Sequence, residues 1–184
     1  MYDPSEDSFL LKKCLERFLK GKKLDLCVDM GAGSGIQGLA VAPFAKRILC
    51  VDVNPEVVLF LNDLFKDNFK FSIIESDLFL SVPEKFKGKV DLIAFNPPYL
   101  PREACEVDDL ELTSGVEGVD LTLRFLSDCV YFLKPEGRLF FVASSLANIS
   151  LIESKLVELD FKFKISGKEH IFFEDILVYE AWRI

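Results

Sequence analysis

Four short, almost uninterrupted apolar runs, at residues 24–30, 47–53, 90–95 and 139–143, constrain this chain more than any other feature. A strand that is apolar on both alternating faces must be covered on both, as a central strand of a parallel sheet is when helices flank it. The segments between the runs carry helical periodicity. At residues 3–20, Asp3 reads as a cap, Pro4 as the first helical position and Glu6 as the third residue past the cap. Leu11, Cys14, Leu15 and Phe18 then share one face. Further helices are expected at 35–45, from Pro55 to Asn68, at 119–133 and at 147–159. The remaining strands fall at 69–75, 161–166 and 175–183, and the 139–143 run extends to 137–144. Such alternation predicts an α/β fold with a mostly parallel sheet. Phe69-Lys70-Phe71-Ser72-Ile73 and Phe161-Lys162-Phe163-Lys164-Ile165 alternate strictly, with lysines that discourage stray pairing, so they are expected at the two sheet edges. Segments 161–166 and 175–183 are too close for a parallel crossover and should form an antiparallel hairpin.

A length of 184 residues suits one domain, 1–184, and an apolar fraction of 50% suffices for a packed core. No run reaches the ~18 apolar residues of a membrane helix, and the acidic start, Met1-Tyr2-Asp3-Pro4-Ser5-Glu6-Asp7, is unlike a basic leader. Five cysteines (Cys14, Cys27, Cys50, Cys105, Cys129) form no C-x-x-C pair, and four lie in apolar runs, as buried free thiols of a reducing compartment do. The single histidine, His170, argues against a His-based metal centre. A soluble, cytoplasmic protein without metal or membrane contact is expected. The formal net charge of −8 opposes non-specific nucleic-acid binding. It is unevenly spread: Lys12, Lys13, Arg17, Lys20, Lys22 and Lys23 make the start basic. Seven carboxylates between Glu103 and Asp120 meet no Lys or Arg.

Three motifs stand where strands end. Asp29-Met30-Gly31-Ala32-Gly33-Ser34-Gly35-Ile36-Gln37-Gly38 joins a strand to a helix, and its glycines permit a sharp turn and close approach of a ligand to backbone N–H groups. The spacing from Gly33 to Gly38, with Asp52 19 residues after Gly33, fits a dinucleotide fingerprint as well as an S-adenosylmethionine loop. Asp29 favours the latter, because a carboxylate there repels a pyrophosphate and pairs with an ammonium group. Asp52, in Val51-Asp52-Val53-Asn54-Pro55, offers two oxygens to a ribose diol, while Asn54 is better placed to cap the helix at Pro55. Asp77 and Leu78 follow the third strand, suited to an adenine amino group and a ring nitrogen.

The most telling motif is Asn96-Pro97-Pro98-Tyr99, directly after the 90–95 run. Two prolines stiffen the turn and remove two donors, so that the Asn96 side-chain oxygen and the Pro97 carbonyl remain as acceptors. Two fixed acceptors can hold both hydrogens of an –NH2 group and aim its lone pair, an alignment worth up to ~7–11 kcal/mol of barrier. The Tyr99 ring can cover a planar amide or base.

Together Asp29-x-Gly31-x-Gly33-x-Gly35, Asp52, Asp77 and Asn96-Pro97-Pro98-Tyr99 resemble the class I S-adenosylmethionine-dependent methyltransferases that act on planar –NH2 groups. Within these, Tyr2-x-Pro4-x-Glu6-Asp7-Ser8 is similar to the start of the short archaeal/eukaryotic HemK-like glutamine methyltransferases, and Gly115-x-x-Gly118 and the closing hairpin extend the likeness along the chain. The resemblance implies a Rossmann-like, seven-stranded sheet with helices on both faces and residues 1–23 packing on the cofactor side. It implies that Ser8, Asp29, Met30, Gly31, Gly33, Gly35, Asp52, Val53, Asp77, Leu78 and Asn96 hold S-adenosylmethionine, with S-adenosylhomocysteine as product. Asn96, Pro97, Pro98 and Tyr99 would orient the glutamine amide of a Gly-Gly-Gln loop in a translation termination factor. The family also implies a small zinc-binding activator subunit, with the strand around Phe69–Ile74 as an edge for it. Two rivals remain: methylation of an exocyclic amine of adenine or guanine in RNA or DNA, and an NAD-binding module built on Gly33–Gly38. The acidic stretch after Tyr99 disfavours the first, since it would repel a phosphate backbone and attract a basic protein loop.

Overall fold

In a computed structural model of the protein, which describes residues 4–99 and 119–183, the apolar runs become the centre of one seven-stranded sheet. In chain order the elements are α1 (Glu6–Leu19), β1 (Leu24–Met30), α2 (Ile36–Val41), β2 (Ala45–Asp52), α3 (Pro55–Leu64), β3 (Phe71–Glu75) and β4 (Val90–Phe95). They continue with α4 (Asp120–Phe132), β5 (Leu133–Ser144), α5 (Ile149–Glu158), β6 (Phe161–Ile171) and β7 (Glu174–Arg183). The strand order is β3-β2-β1-β4-β5-β7-β6, parallel from β3 to β5 and antiparallel where β7 meets β5 and β6. The two strictly alternating segments do occupy the two edges, and the closing strands do form a hairpin.

Each central strand feeds two cores. On one face Val28, Met30, Val51, Ile93, Phe95 and Phe141 pack under α4 and α5, against Phe125, Leu126, Ile152 and Leu156. On the other, Cys27, Ile48, Cys50, Leu92, Phe140 and Val142 pack under α1, α2 and α3, against Leu11, Leu15, Val41 and Leu61. Neighbouring residues of one strand thus serve opposite cores, which is why those runs show no polar alternation. Cys14, Cys27, Cys50 and Cys129 are buried free thiols, and burial pushes the Cys27 thiol up to about 12. Cys105 lies outside the described residues. No described helix is long and apolar enough to cross a membrane.

Element ends differ from the local expectations for identifiable reasons. Helix α1 starts at Glu6 with Ser5 at its cap, and the Ser5 hydroxyl donates to the Asp7 carboxylate at 2.9 Å. Pro4 precedes the helix, and Asp3 lies outside the described residues. The expected 35–45 helix stops at Val41: Ala42 keeps helical geometry (φ −56°, ψ −36°) and donates to the Gly38 carbonyl, but Pro43 has no N–H with which to continue the ladder. Helix α3 ends at Leu64 so that Phe65 can turn and stack on Phe71, with ring centroids 3.8 Å apart and planes within 4°. Strand β5 begins at Leu133, directly after α4, because Leu133 pairs with Val90 across a register shift. The hairpin is longer than expected and closes through Phe172-Phe173, both almost fully exposed.

Phe172 sits at φ +53° in that turn. A left-handed conformation costs a residue with a bulky side chain about 1–2 kcal/mol, which asparagine largely avoids. Phe172→Asn should therefore raise the melting temperature by roughly 2–4 °C for a gain of about 1 kcal/mol, measured by thermal denaturation.

Candidate active site

Apolar strands covered on both faces leave polar side chains nowhere to gather except at strand ends. The loops leaving the carboxyl ends of β1, β2, β3 and β4, joined by the start of α1, enclose a cavity of about 380 Å³, within the range of small-molecule sites. Asp29, Gly31, Asp52, Asp77, Asn96 and Tyr99 line it, as do Ser8, Met30, Gly33, Val53, Leu78, Pro97 and Pro98. Thus one chamber gathers all the expected site residues except Gly35. That residue instead folds the loop back: its φ is +77°, and a Cβ there would meet Leu61 of α3 at 3.1 Å and Phe65, just past the end of α3, at 3.0 Å.

The loop after β1 is shaped by two buried carboxyls. Asp29 is 2% exposed, and its Oδ2 accepts from the Gly38 N–H at 2.7 Å. Gly38 permits this contact because a Cβ on it would press on Asp29 Oδ2 and Cys50 Sγ at 3.2 Å. Burial, opposed by the Gly38 hydrogen bond and reinforced by the nearby Asp52 charge, raises the Asp29 carboxyl to about 8. Asp52 accepts from Gly33 N–H through Oδ2 and from Asn54 N–H through Oδ1, both at 2.9 Å. Asn54 caps α3 as expected, accepting from Glu56 N–H at 2.9 Å. Each Asp52 oxygen retains a lone pair beyond the loop it organises.

At the end of β3, Asp77 lines the cavity and pairs with Arg124 of α4 at 2.7 Å, a partner not evident from the chain pattern. Leu78 follows at φ +49°, a left-handed turn for a buried leucine beside the cavity. At the end of β4 the Asn96 amide is held by α1: Nδ2 donates to Asp7 Oδ2 at 3.1 Å and to Ser8 Oγ at 3.2 Å. Asn96 Oδ1 is buried and has no partner among the described residues. The Tyr99 hydroxyl donates to the same Asp7 oxygen at 3.0 Å.

Two site residues escaped the sequence reading. Asp7 is 3% exposed and is the hub for Asn96 and Tyr99; its only local sign is an acid inside the Glu6-Asp7-Ser8 run. Gln37 donates to the Ser8 carbonyl at 2.9 Å, tying α2 to α1, while its own Oε1 is buried without a partner among the described residues. Nothing in its spacing marks it. The acidic stretch from Glu103 to Glu117 and the Gly115/Gly118 pair lie outside the described residues; Asp120 opens α4.

The sheet order, the hairpin and a glycine loop beside the Asn-Pro-Pro-Tyr turn define a Rossmann-like class I methyltransferase fold. The chain belongs to the methyltransferase small-domain family, whose model matches residues 6–164. It is 36% identical over 190 residues to the putative protein N5-glutamine methyltransferase MJ0928 of Methanocaldococcus jannaschii, covering 100% of this chain and 92% of the relative. Its fold is similar to the E. cuniculi Mtq2–Trm112 complex, responsible for methylation of the eRF1 termination factor. There the TM-score is 0.77 at 21% identity, over 100% of this chain and 98% of that one. It is also similar to the T. thermophilus 16S rRNA N2 G1207 methyltransferase RsmC, solved with AdoMet and guanosine. In that case the TM-score is 0.73 at 22% identity, over 99% of this chain and 44% of that one.

Because Asp29 is held neutral when folded but ionises at an ordinary carboxyl value when unfolded, it favours the folded state most in acid. That contribution is fully present below about pH 4 and is lost as pH rises through about 8. In the ligand-free protein, melting temperatures taken from pH 5 to 9 should fall more steeply for the wild type than for Asp29→Asn. Parallel profiles would show that the group ionises normally.

Proposed function

We propose that this chain transfers a methyl group from S-adenosylmethionine to the side-chain amide nitrogen of a protein glutamine, in the Gly-Gly-Gln loop of a class I translation termination factor. The observation that carries this reading is Asn96: both its N–H donors are engaged, and its buried Oδ1 has no partner among the described residues. An unmet acceptor in a residue lining the cavity suits a donor-rich –NH2 group and is costly until one arrives. The relatives' names point to the same chemistry: an N5-glutamine methyltransferase by sequence and an eRF1-methylating enzyme by fold.

The cavity suits the cofactor on this chain's own evidence: Asp29 and Asp52 are buried acids, Gln37 Oε1 is an unmet acceptor, and a Cβ on Gly31 would press on Phe95 at 3.2 Å. Asp29 would take the ammonium group, which draws its carboxyl towards the charged form, and Asp52 the ribose hydroxyls. Ser8, Met30, Gly31, Gly33, Val53, Asp77 and Leu78 would enclose the rest. When bound, S-adenosylmethionine supplies an electrophilic methyl carbon and leaves as S-adenosylhomocysteine. The protein's share is alignment: Asn96 Oδ1 and the Pro97 carbonyl accept the two amide hydrogens, and the Tyr99 ring packs on the amide plane. The nitrogen lone pair is thereby aimed at the methyl carbon, and an amide proton departs to solvent after transfer.

Residues 1–184 would act as one domain, with 1–23 packed on the cofactor side; the bonds that Asn96 donates to Asp7 and Ser8, and Gln37 to the Ser8 carbonyl, support this. A small zinc-binding activator would attach along edge strand β3, around Phe69–Ile74. The 98% exposure of Phe69 beside that open edge supports such a partner.

Labelled S-adenosylmethionine is to be incubated with purified termination factor, with its Gly-Gly-Gln Gln→Ala variant, and with bulk RNA. Label should enter only the unmodified factor; label in RNA alone would reverse the reading. Asn96→Ala should lower turnover at least about 100-fold, as loss of one stabilising polar group does elsewhere, with cofactor affinity within a few-fold. Near-normal turnover would sink the mechanism. Phe69→Lys should weaken activator binding at least about tenfold, about 1.4 kcal/mol. Unchanged affinity in a titration would remove β3 as the attachment edge.

A further inference from the structure

We infer that Asp7 is a positioning residue that sets the polarity of Asn96, and through it the choice of an amino group over a carboxylate or carbonyl as the group methylated. This rests on Asn96 presenting the substrate acceptor, as proposed above. Asp7 is almost wholly buried, and donors from several elements converge on it. Ser5 Oγ, Ser8 N–H and Ser8 Oγ donate to Oδ1, and Asn96 Nδ2 and the Tyr99 hydroxyl donate to Oδ2.

A carboxylate can only accept, so the group facing it must be the Asn96 amide nitrogen and never the amide oxygen. The Ser8 hydroxyl repeats the instruction. Its one hydrogen goes to Asp7, so towards Asn96 it can only accept, and it takes the second Nδ2 hydrogen at 3.2 Å. One charge thus orients the amide twice, and Oδ1 is left as the group available to a ligand. A glutamine amide, offering two hydrogens, fits that acceptor; the carboxylate of a glutamate at the same place would meet lone pair with lone pair. Nothing in the Asn-Pro-Pro-Tyr turn by itself prevents Asn96 from turning over. The lock comes from the other end of the chain, 89 residues away.

An amide at position 7 cannot replace the carboxylate. If its nitrogen takes the place of Oδ2 it faces two donors, and relief requires Asn96 to turn its nitrogen into the cavity. If it takes the place of Oδ1 it faces the Ser8 N–H and two hydroxyls. The test is a polarity exchange: Asp7→Asn, Asn96→Asp and the double variant, each checked for melting temperature and S-adenosylmethionine affinity. Asp7→Asn should lower kcat for the purified termination factor at least about 30-fold, with KM and cofactor affinity within about threefold. Asn96→Asp alone sets two carboxylates face to face and should be similarly impaired. In the double variant the new amide donates to the new carboxylate and an acceptor again lines the cavity, so kcat should recover at least about tenfold over either single variant.

Hydrogen exchange of the Asn96 side-chain amide, read by NMR, needs no substrate. It should be at least about 100-fold slower in the wild type than in a free amide, and fast in Asp7→Asn. Wild-type kcat within about threefold in Asp7→Asn, no recovery in the double variant, or fast exchange in the wild type would each overturn the assignment. If the wild type methylates no termination factor, the substrate reading fails, and the exchange measurement alone decides the polarity lock.

Discussion

Covering both faces of the central strands is the constraint from which the rest of this molecule follows. Strands β1, β2 and β4 carry apolar residues on successive positions because each face has its own core. Polar chemistry is thereby driven to the strand ends, where backbone and side-chain groups no longer have a neighbour in the ladder. Asp29, Asp52, Asp77 and Asn96 lie at or just beyond the carboxyl ends of four parallel strands, the edge at which open α/β sheets bind ligands. The antiparallel hairpin extends the sheet on the β5 side without disturbing that edge.

How far the sequence discloses this depends on whether the deciding interaction is local. Central strands were legible because burial on both faces erases alternation, and the edges because lysine alternation survives there. The turn at Asn96 was legible because two prolines announce their own geometry. Asp7 was not, because its meaning lies in contacts 88–92 residues away along the chain that no periodicity encodes. The start of α1 differs from the expectation for a local reason that also centres on Asp7. Asp3 and Pro4 suit a local cap by type, but Ser5 occupies the capping position and its hydroxyl donates to the Asp7 carboxylate. Arg124 and Gln37 were hidden as Asp7 was, since their partners sit on other elements. At Gly35 the sequence pattern suggested a ligand contact where the structure uses the residue to seat the loop against α3.

The electrostatics of the cavity are graded rather than uniformly acidic. Asp29, the most deeply enclosed of the three acids at the strand ends, is held largely neutral by desolvation at physiological pH. Asp77, partly exposed, is already balanced by Arg124. Asp52 lies between them in exposure and accepts hydrogen bonds from two uncharged backbone N–H groups. A ligand with a cationic end and a neutral, hydroxyl-bearing middle matches that order better than a pyrophosphate, which would place anionic oxygens against Asp29 and Asp52. This is the physical ground for separating the two cofactor classes that the glycine spacing leaves equivalent.

Three features of the ligand-free protein are unfavourable by themselves, and all three line the same cavity: a neutralised buried carboxyl at Asp29, a left-handed leucine at position 78 and an unpartnered amide oxygen on Asn96. Features of this kind cost about 1–3 kcal/mol each and persist where surrounding packing over-determines them. Here the packing is the paired cores on either face of the sheet, together with the Asp7 hydrogen bonds that stop Asn96 from relieving its own strain by turning over. On the proposed reading, a substrate amino group would meet the amide oxygen and a cationic ligand would draw the proton from Asp29, so binding would recover part of what folding left unmet. The same argument explains why the alignment residues Asn96, Pro97 and Tyr99 directly follow the rigid end of β4 and are braced by α1. An acceptor contributes to alignment only if its orientation is settled before the substrate arrives.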